Sequence, residues 1–231
     1  MSLKDLLRSQ LLDKFRRVKE KGGVYLIIFD DSSKEMLDSY LDMQEAMDAC
    51  GASFADSLLK KRKPQPLKDA LYFFKPCSET LAQINTDFMN PDKPRYRKIH
   101  FLFSATCTPA LYSELASRKI DPRLVTKQEI VVEVFVGEKS VYHFAKPSHL
   151  HLFTANQQSD TYQRMCSSAA DKLKTLFISL GDYPKIHYMG ESPHPVVVAK
   201  MLQNKLEEAR RDEYCMYPVR LCLLLTIFVS N

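Results

Sequence analysis

Glycine is scarce in this chain, with six residues in 231, and none belongs to a phosphate-cradling loop. No G-x-G-x-x-G, Walker-type loop or G-x-S-x-G occurs, so the sequence offers no ground for a dinucleotide site, a nucleotide-phosphate loop or a hydrolase serine. The six cysteines, at positions 50, 77, 107, 166, 215 and 222, include no C-x-x-C pair. In a chain too large to need stapling they read as reduced thiols, and a structural zinc site lacks its framework. Neither sign of charge dominates: 33 Lys and Arg face 28 Asp and Glu, a net charge of +5, which is mild for a nucleic-acid binder. The N-terminus spreads charges through its apolar pattern, so no signal peptide is read and a cytoplasmic location is expected. The most apolar stretch, Leu221 to Val229, spans nine residues, whereas a membrane helix needs about 20. It reads as a buried strand, rich in Leu, Ile, Val and Phe.

What the chain does have is 45% hydrophobic residues, enough to fill a core, in a repeating grammar of buried strand and helix. Leu3, Leu7, Leu11, Phe15 and Val18 recur at helical spacing and Gly22-Gly23 follow as a stop. The apolar run Val24 to Phe29 then leads through Asp30-Asp31-Ser32-Ser33, good caps, into a helix carrying Met36, Leu37, Tyr40 and Leu41. The pattern returns in Ala70 to Phe74 before a helix with Leu81, Ile84 and Phe88, and in Ile99 to Phe103 before Thr108-Pro109, where proline marks a first helical turn. Glu129 to Val136 reads as a further strand and Ala52 to Ala55 as a short additional one. Buried strands alternating with helices predict an α/β fold, a doubly wound and mostly parallel sheet flanked by helices.

After Gly137 the grammar loosens into a polar, proline-interrupted connection. The expected division is a first α/β domain over 1–137 and the first part of a second α/β domain over 138–231. In the second, Met165 to Leu180 and Pro195 to Arg210 read as helices, and Tyr183 to Tyr188 and Leu221 to Val229 as strands. Two strands and two helices are too few layers to bury a long apolar strand on both sides, so this domain is expected to be incomplete.

Enzymatic readings each meet a missing residue. Asp30-Asp31 ends a strand where doubly wound sheets place ligands, but a phosphotransfer site would need an acceptor aspartate where Phe74-Lys75 stands, or an Asp-x-Asp spacing. Cys107 sits at a strand-to-helix turn that can lower a thiol pKa; a phosphatase loop would need arginine where Ser113 stands. His149 and His151 alternate as in a strand but lack a third metal ligand. Lys60-Lys61-Arg62-Lys63 is the concentrated basic run and reads by itself as a solvated turn. The expectation is a binding module that uses no catalytic residue, metal or cofactor.

Several stretches, taken in order, resemble the SM (Sec/Munc-type, syntaxin-binding) family, and its exocytic branch in particular. They are LKDLLRSQLL with VKEKGG, YLIIFD, KKRKPQPLKDALYFFKP, PRYRKIHFLFSATCTPALYSEL and KTLFISLGDYPKIHY. The resemblance implies a first domain that contacts a syntaxin-type SNARE protein in vesicle docking and fusion. It also implies a second domain that would be completed by chain beyond a helical third domain, absent here. Arg220 to Leu225 is similar to a family strand, and the residues from Thr226 on depart from it. Two surfaces follow by matching position. A cleft for the SNARE helical bundle would include Asp30, Asp42, Asp56, Lys61 and Arg62. A pocket for the syntaxin N-terminal peptide would be lined by Thr106, Cys107, Tyr112, Leu124, Lys127 and Glu129, with Tyr112 in place of a usual Phe and Lys127 of a usual Leu. Membrane association would then be indirect, at the plasma membrane or vesicles through syntaxin. The alternative is a truncated isoform with little syntaxin affinity, and a remote one is phosphotransfer through Asp30 and Asp31.

Overall fold

A computed structural model describes residues 3–88, 94–117, 123–130, 134–138, 141–144, 156–180, 183–188, 190, 193–211 and 224–227. The chain divides into two compact units, Met1–Phe144 and Ala145–Asn231.

In the first unit, α1 (Leu3–Glu20) lays Leu7, Leu11, Phe15 and Val18 into the core, each at most 1% exposed. Gly22 and Gly23 end it with φ of 112° and 68°, and their N–H groups donate back to the Lys19 and Val18 carbonyls. A side chain is strained at such φ, so glycine makes this stop possible. Five strands follow: β1 (Leu26–Phe29), β2 (Phe54–Ser57), β3 (Ala70–Phe74), β4 (Ile99–Phe103) and β5 (Leu124–Glu129). All pair in parallel, in the order β2-β1-β3-β4-β5. β1, β3 and β4 are buried along their whole length, as expected of central parallel strands covered on both faces.

One face packs against α1, where the Phe15 and Phe73 rings meet edge to face at 5.8 Å. The other is an aromatic ladder. Tyr72 meets Phe101 at 5.7 Å, Phe74 meets Phe101 and Phe103 at 5.2 Å, and Leu81 and Ile84 of α4 (Ser78–Thr86) and Leu115 of α5 (Pro109–Ser117) join the same cluster. Such edge-to-face pairs add about 0.5–1.5 kcal/mol each beyond the buried area.

Three expectations are corrected. The helix after β1 breaks in two, α2 (Asp31–Asp38) and α3 (Met43–Cys50). Asp42 caps the second by accepting the Glu45 N–H at 2.8 Å, leaving Tyr40 and Leu41 in the connection. The fifth strand is Leu124–Glu129 rather than 129–136, because the apolar pattern of the latter stretch belongs to different elements. Ile130 is buried beside Phe103, and Phe135–Glu138 (β6) pairs antiparallel with Val141–His143 (β7). Finally, the short strand near residue 52 lies at Phe54–Ser57.

The second unit has α6 (Asp160–Leu180), β8 (Lys185–Tyr188), α7 (Pro193–Arg211) and β9 (Leu224–Ile227), with β8 and β9 parallel. Tyr162 of α6 and His194 of α7 hydrogen-bond at 3.0 Å in the buried helix contact. The expected terminal strand is thus present at Leu224–Ile227; residues 221–223 and 228–231 lie outside the described residues, as do His149, His151, Cys215 and Cys222. Cys50, Cys77, Cys107 and Cys166 are free thiols. Among the described residues no helix is long and apolar enough to cross a membrane, and no group of three or more His, Cys, Asp or Glu is placed to hold a metal ion.

Candidate binding surfaces at the carboxyl edge of the sheet

The pocket residues were read at uneven intervals, and a break in strand register brings them together. Leu124 pairs with Ile99, but Thr126 pairs with His100, so Val125 is left over as a bulge. In a regular strand Leu124 and Lys127 would point to opposite faces, because side chains alternate. The extra residue resets the count. Leu124, Lys127 and Glu129 therefore stand beside Ile99, Phe101 and Phe103, on the face that carries the aromatic ladder. The register is pinned on the other face by a 2.9 Å hydrogen bond between the buried side chains of His100 and Thr126.

Helix α5 walls the opposite side. Pro109 opens it, as the sequence predicts, and the Tyr112 N–H donates to the Thr108 carbonyl. Tyr112 ends the aromatic ladder, its ring 6.1 Å from Phe103 and perpendicular to it. Its hydroxyl donates to Glu129 Oε1 at 2.9 Å, and the Cys107 N–H donates to the same oxygen at 3.1 Å. A hydroxyl and a main-chain amide thus fix one carboxylate between α5 and the edge strand β5. Burial, then the hydrogen bond to Glu129 and its charge, raises the Tyr112 hydroxyl pKa, so Tyr112 stays a donor. Burial first and Glu129 second also raise the Cys107 thiol, the reverse of what a nucleophile needs. Cys107 is 5% exposed and packs in the aromatic cluster, while Thr106 before it and Lys127 of β5 are exposed.

Two further residues bear on this site and were not singled out from the sequence. Leu111 packs half-buried on the same cluster as Tyr112 and Leu124, a role its spacing of four from Leu115 signals. Lys14 of α1 lies within electrostatic reach of Glu129, which no local pattern reveals.

At the other side of the same edge, the matched cleft residues have local duties. Asp30 follows β1, accepting Ser32 Oγ at 2.9 Å and the Lys75 N–H at 3.3 Å. Both carboxylate oxygens are engaged, as for a loop residue. Asp56 accepts the Ser57 N–H and pairs with Lys60 at 3.3 Å. Asp42 is the helix cap described above. Lys61 is exposed.

Arg62 departs from the expectation of a cleft-lining cation. Its side chain is 4% exposed and bonds Asp87 at 2.6 Å and the Ser57 and Leu58 carbonyls at 2.6 and 3.0 Å. Asp87 also accepts the Tyr72 hydroxyl at 2.8 Å and pairs with Arg95 at 3.2 Å. A buried guanidinium needs this many acceptors to offset its desolvation. The basic run therefore splits, with Arg62 anchoring the loop from inside and Lys60, Lys61 and Lys63 outside.

Comparison with known proteins gives the chain relatives. The chain is 22% identical over 214 residues to protein transport protein sec1 of Dictyostelium discoideum, covering 91% of this chain and 35% of that protein. The Unc18–syntaxin 1 complex of Monosiga brevicollis contains the same fold, with a TM-score of 0.79 at 24% identity over 94% of this chain and 38% of the other. Sly1p, solved in complex with an N-terminal peptide of Sed5p, also scores 0.79, at 17% identity over 98% of this chain and 41% of the other. The chain spans about a quarter to a third of the length of the curated relatives it matches. The sequence model of the Sec1 family matches residues 25–218, and with the parallel sheet running through that span, the chain belongs to the Sec1 family.

Proposed function

We propose that this chain serves SNARE-dependent vesicle traffic as a binding protein, and that the groove between α5 and β5 receives the N-terminal peptide of a syntaxin-type SNARE. The observation that carries this reading is the bulge at Val125, which lines Leu124, Lys127 and Glu129 along one face opposite Tyr112. From Ile99 to Phe103 that face runs four strand spacings, on the order of 13 Å, the length of about four extended peptide residues. The half-buried Tyr112, Leu111 and Leu124 suit an apolar anchor side chain, and Glu129, held by two donors on one oxygen, suits a basic residue of the peptide. The peptide held by Sly1p and the syntaxin in the Unc18 complex, both on this fold, support the class of partner.

Asp30, Asp56 and Lys61 lie at or after the carboxyl ends of β1 and β2 and Asp42 caps α3, and we assign the four the weaker part of the reading, a contact with the SNARE helical bundle. Arg62 is left out of it. The reading is one of binding, with membrane association through the SNARE partner.

Fluorescence titration of a labelled syntaxin N-terminal peptide tests the groove. Tyr112→Ala and Glu129→Lys are expected to weaken binding at least tenfold, while Lys61→Glu leaves it unchanged. Equal affinities for all four proteins would remove the assignment.

A further inference from the structure

At the opposite, amino-terminal end of the first unit's sheet, large apolar side chains stand out among cations that the proposed groove does not use. Phe54 at the start of β2 is 55% exposed, and Leu67, in the turn before β3, is 80% exposed. Tyr25 and Lys68 join them. The Tyr25 ring lies 5.2 Å from that of Phe54, and Lys68 Nζ sits 4.7 Å above the Tyr25 ring.

From Lys68 the contacts run on along the edge. The Arg97 N–H donates to the Lys68 carbonyl at 2.8 Å, and its guanidinium clasps Asp69 through two bonds of 2.8 Å. The Lys98 N–H reaches the same carboxylate at 3.2 Å, and Arg123 Nη1 donates to the Arg97 carbonyl at 3.4 Å. Lys21, just past α1, acts electrostatically on His100 together with Lys98 and Asp69, which places it at this end too. Five cations thus gather here. Asp69 and Glu20 in the last turn of α1 lie among them, in a chain whose net charge is +5.

We propose that this edge docks on an anionic lipid surface, with Phe54 and Leu67 entering the headgroup layer and Lys21, Lys68 and Lys98 meeting lipid phosphates and carboxylates. Projecting apolar tips flanked by cations match an interface that is negative outside and apolar within. An acidic peptide would instead ask for a recess, and Phe54 and Leu67 are each more than half exposed. Arg97 is committed to Asp69 and braces the turn, so the lysines supply the contact. This contact is direct and separate from the SNARE groove, and it would hold the carboxyl edge away from the membrane.

Sedimentation of the whole chain with vesicles tests it, using phosphatidylcholine alone and phosphatidylcholine mixed with phosphatidylserine. Binding to the mixed vesicles alone is expected, weakening as salt rises. Lys68→Gln should weaken it about fivefold, the effect of one cation near an anionic surface, and Leu67→Ser should weaken it further. Both side chains are exposed, so thermal unfolding and peptide binding at the groove should match the parent. Three results would overturn the proposal: no sedimentation, equal sedimentation with both vesicle types, or equal partition of parent and variants. Capture of a poly-glutamate peptide without vesicle binding would do so as well, and would give the edge to an acidic protein.

Discussion

The groove beside β5 and the loop after β2 occupy the two sides of one sheet edge and handle charge in opposite ways. Beside β5, a single carboxylate, Glu129, is fixed by a hydroxyl and an amide on one oxygen, and the surrounding wall is made of rings and aliphatic side chains. After β2, charges are consumed locally: Arg62 and Arg95 by Asp87, and Asp56 by Lys60. The first region has the makings of a recognition site, with a fixed, half-buried charge beside apolar surface. The second is a braced loop whose outward lysines are solvated.

Removing the brace should give the largest effect. Arg62→Leu leaves Asp87 buried with Arg95 and Tyr72, and loss of one partner of a buried pair costs about 3–5 kcal/mol. Urea unfolding should show a loss of about 3 kcal/mol, near the low end because two partners remain. Peptide affinity of the folded fraction should be unchanged. A loss below 1 kcal/mol would mean that the loop is not held from within.

Inserting one alanine between Thr126 and Lys127 should come next. With Thr126 kept against His100, the extra residue turns Lys127 and Glu129 to the face opposite Leu124, so peptide affinity should fall at least tenfold in a protein that still folds around β1, β3 and β4. A variant that binds as tightly as the parent would detach the groove from the strand register.

The smallest expected effect concerns His100, which lies 1% exposed against Thr126. Burial lowers its pKa below 6.5, Lys21 and Lys98 push the same way, and Asp69 opposes. The folded state thus favours neutral His100, and its contribution is present above pH 6.5 and lost as the pH falls below it. Chemical denaturation at pH 7.5 and 5.5 should show a decline that His100→Gln reduces. An equal decline in both proteins would place the titration elsewhere.

These differences also explain what could be read from sequence. Ala70 to Phe74 and Ile99 to Phe103 were legible because a parallel strand covered on both faces is a continuous apolar run, and Pro109 marks its helix directly. Leu124 to Glu129 was not, since an edge strand with Thr126, Lys127 and Gln128 in it looks polar, while the apolar residues after it drew the prediction downstream. Leu124, Lys127 and Glu129 were grouped by resemblance, and only the register shows why intervals of three and two place them on one face. Arg62 looked like one of four equivalent cations. Its partner Asp87 is 25 residues away, and no local pattern joins them.

The central claim is that Glu129 recognises a basic residue of a syntaxin N-terminal peptide, and a charge-reversal cycle tests it most directly. Calorimetric titration would compare the parent and Glu129→Lys against the native peptide and a peptide whose basic residue is changed to Glu. The account predicts that each single reversal weakens binding at least tenfold and that the double reversal recovers a substantial part of it. Additive losses, or a native peptide that binds both proteins equally, would contradict it.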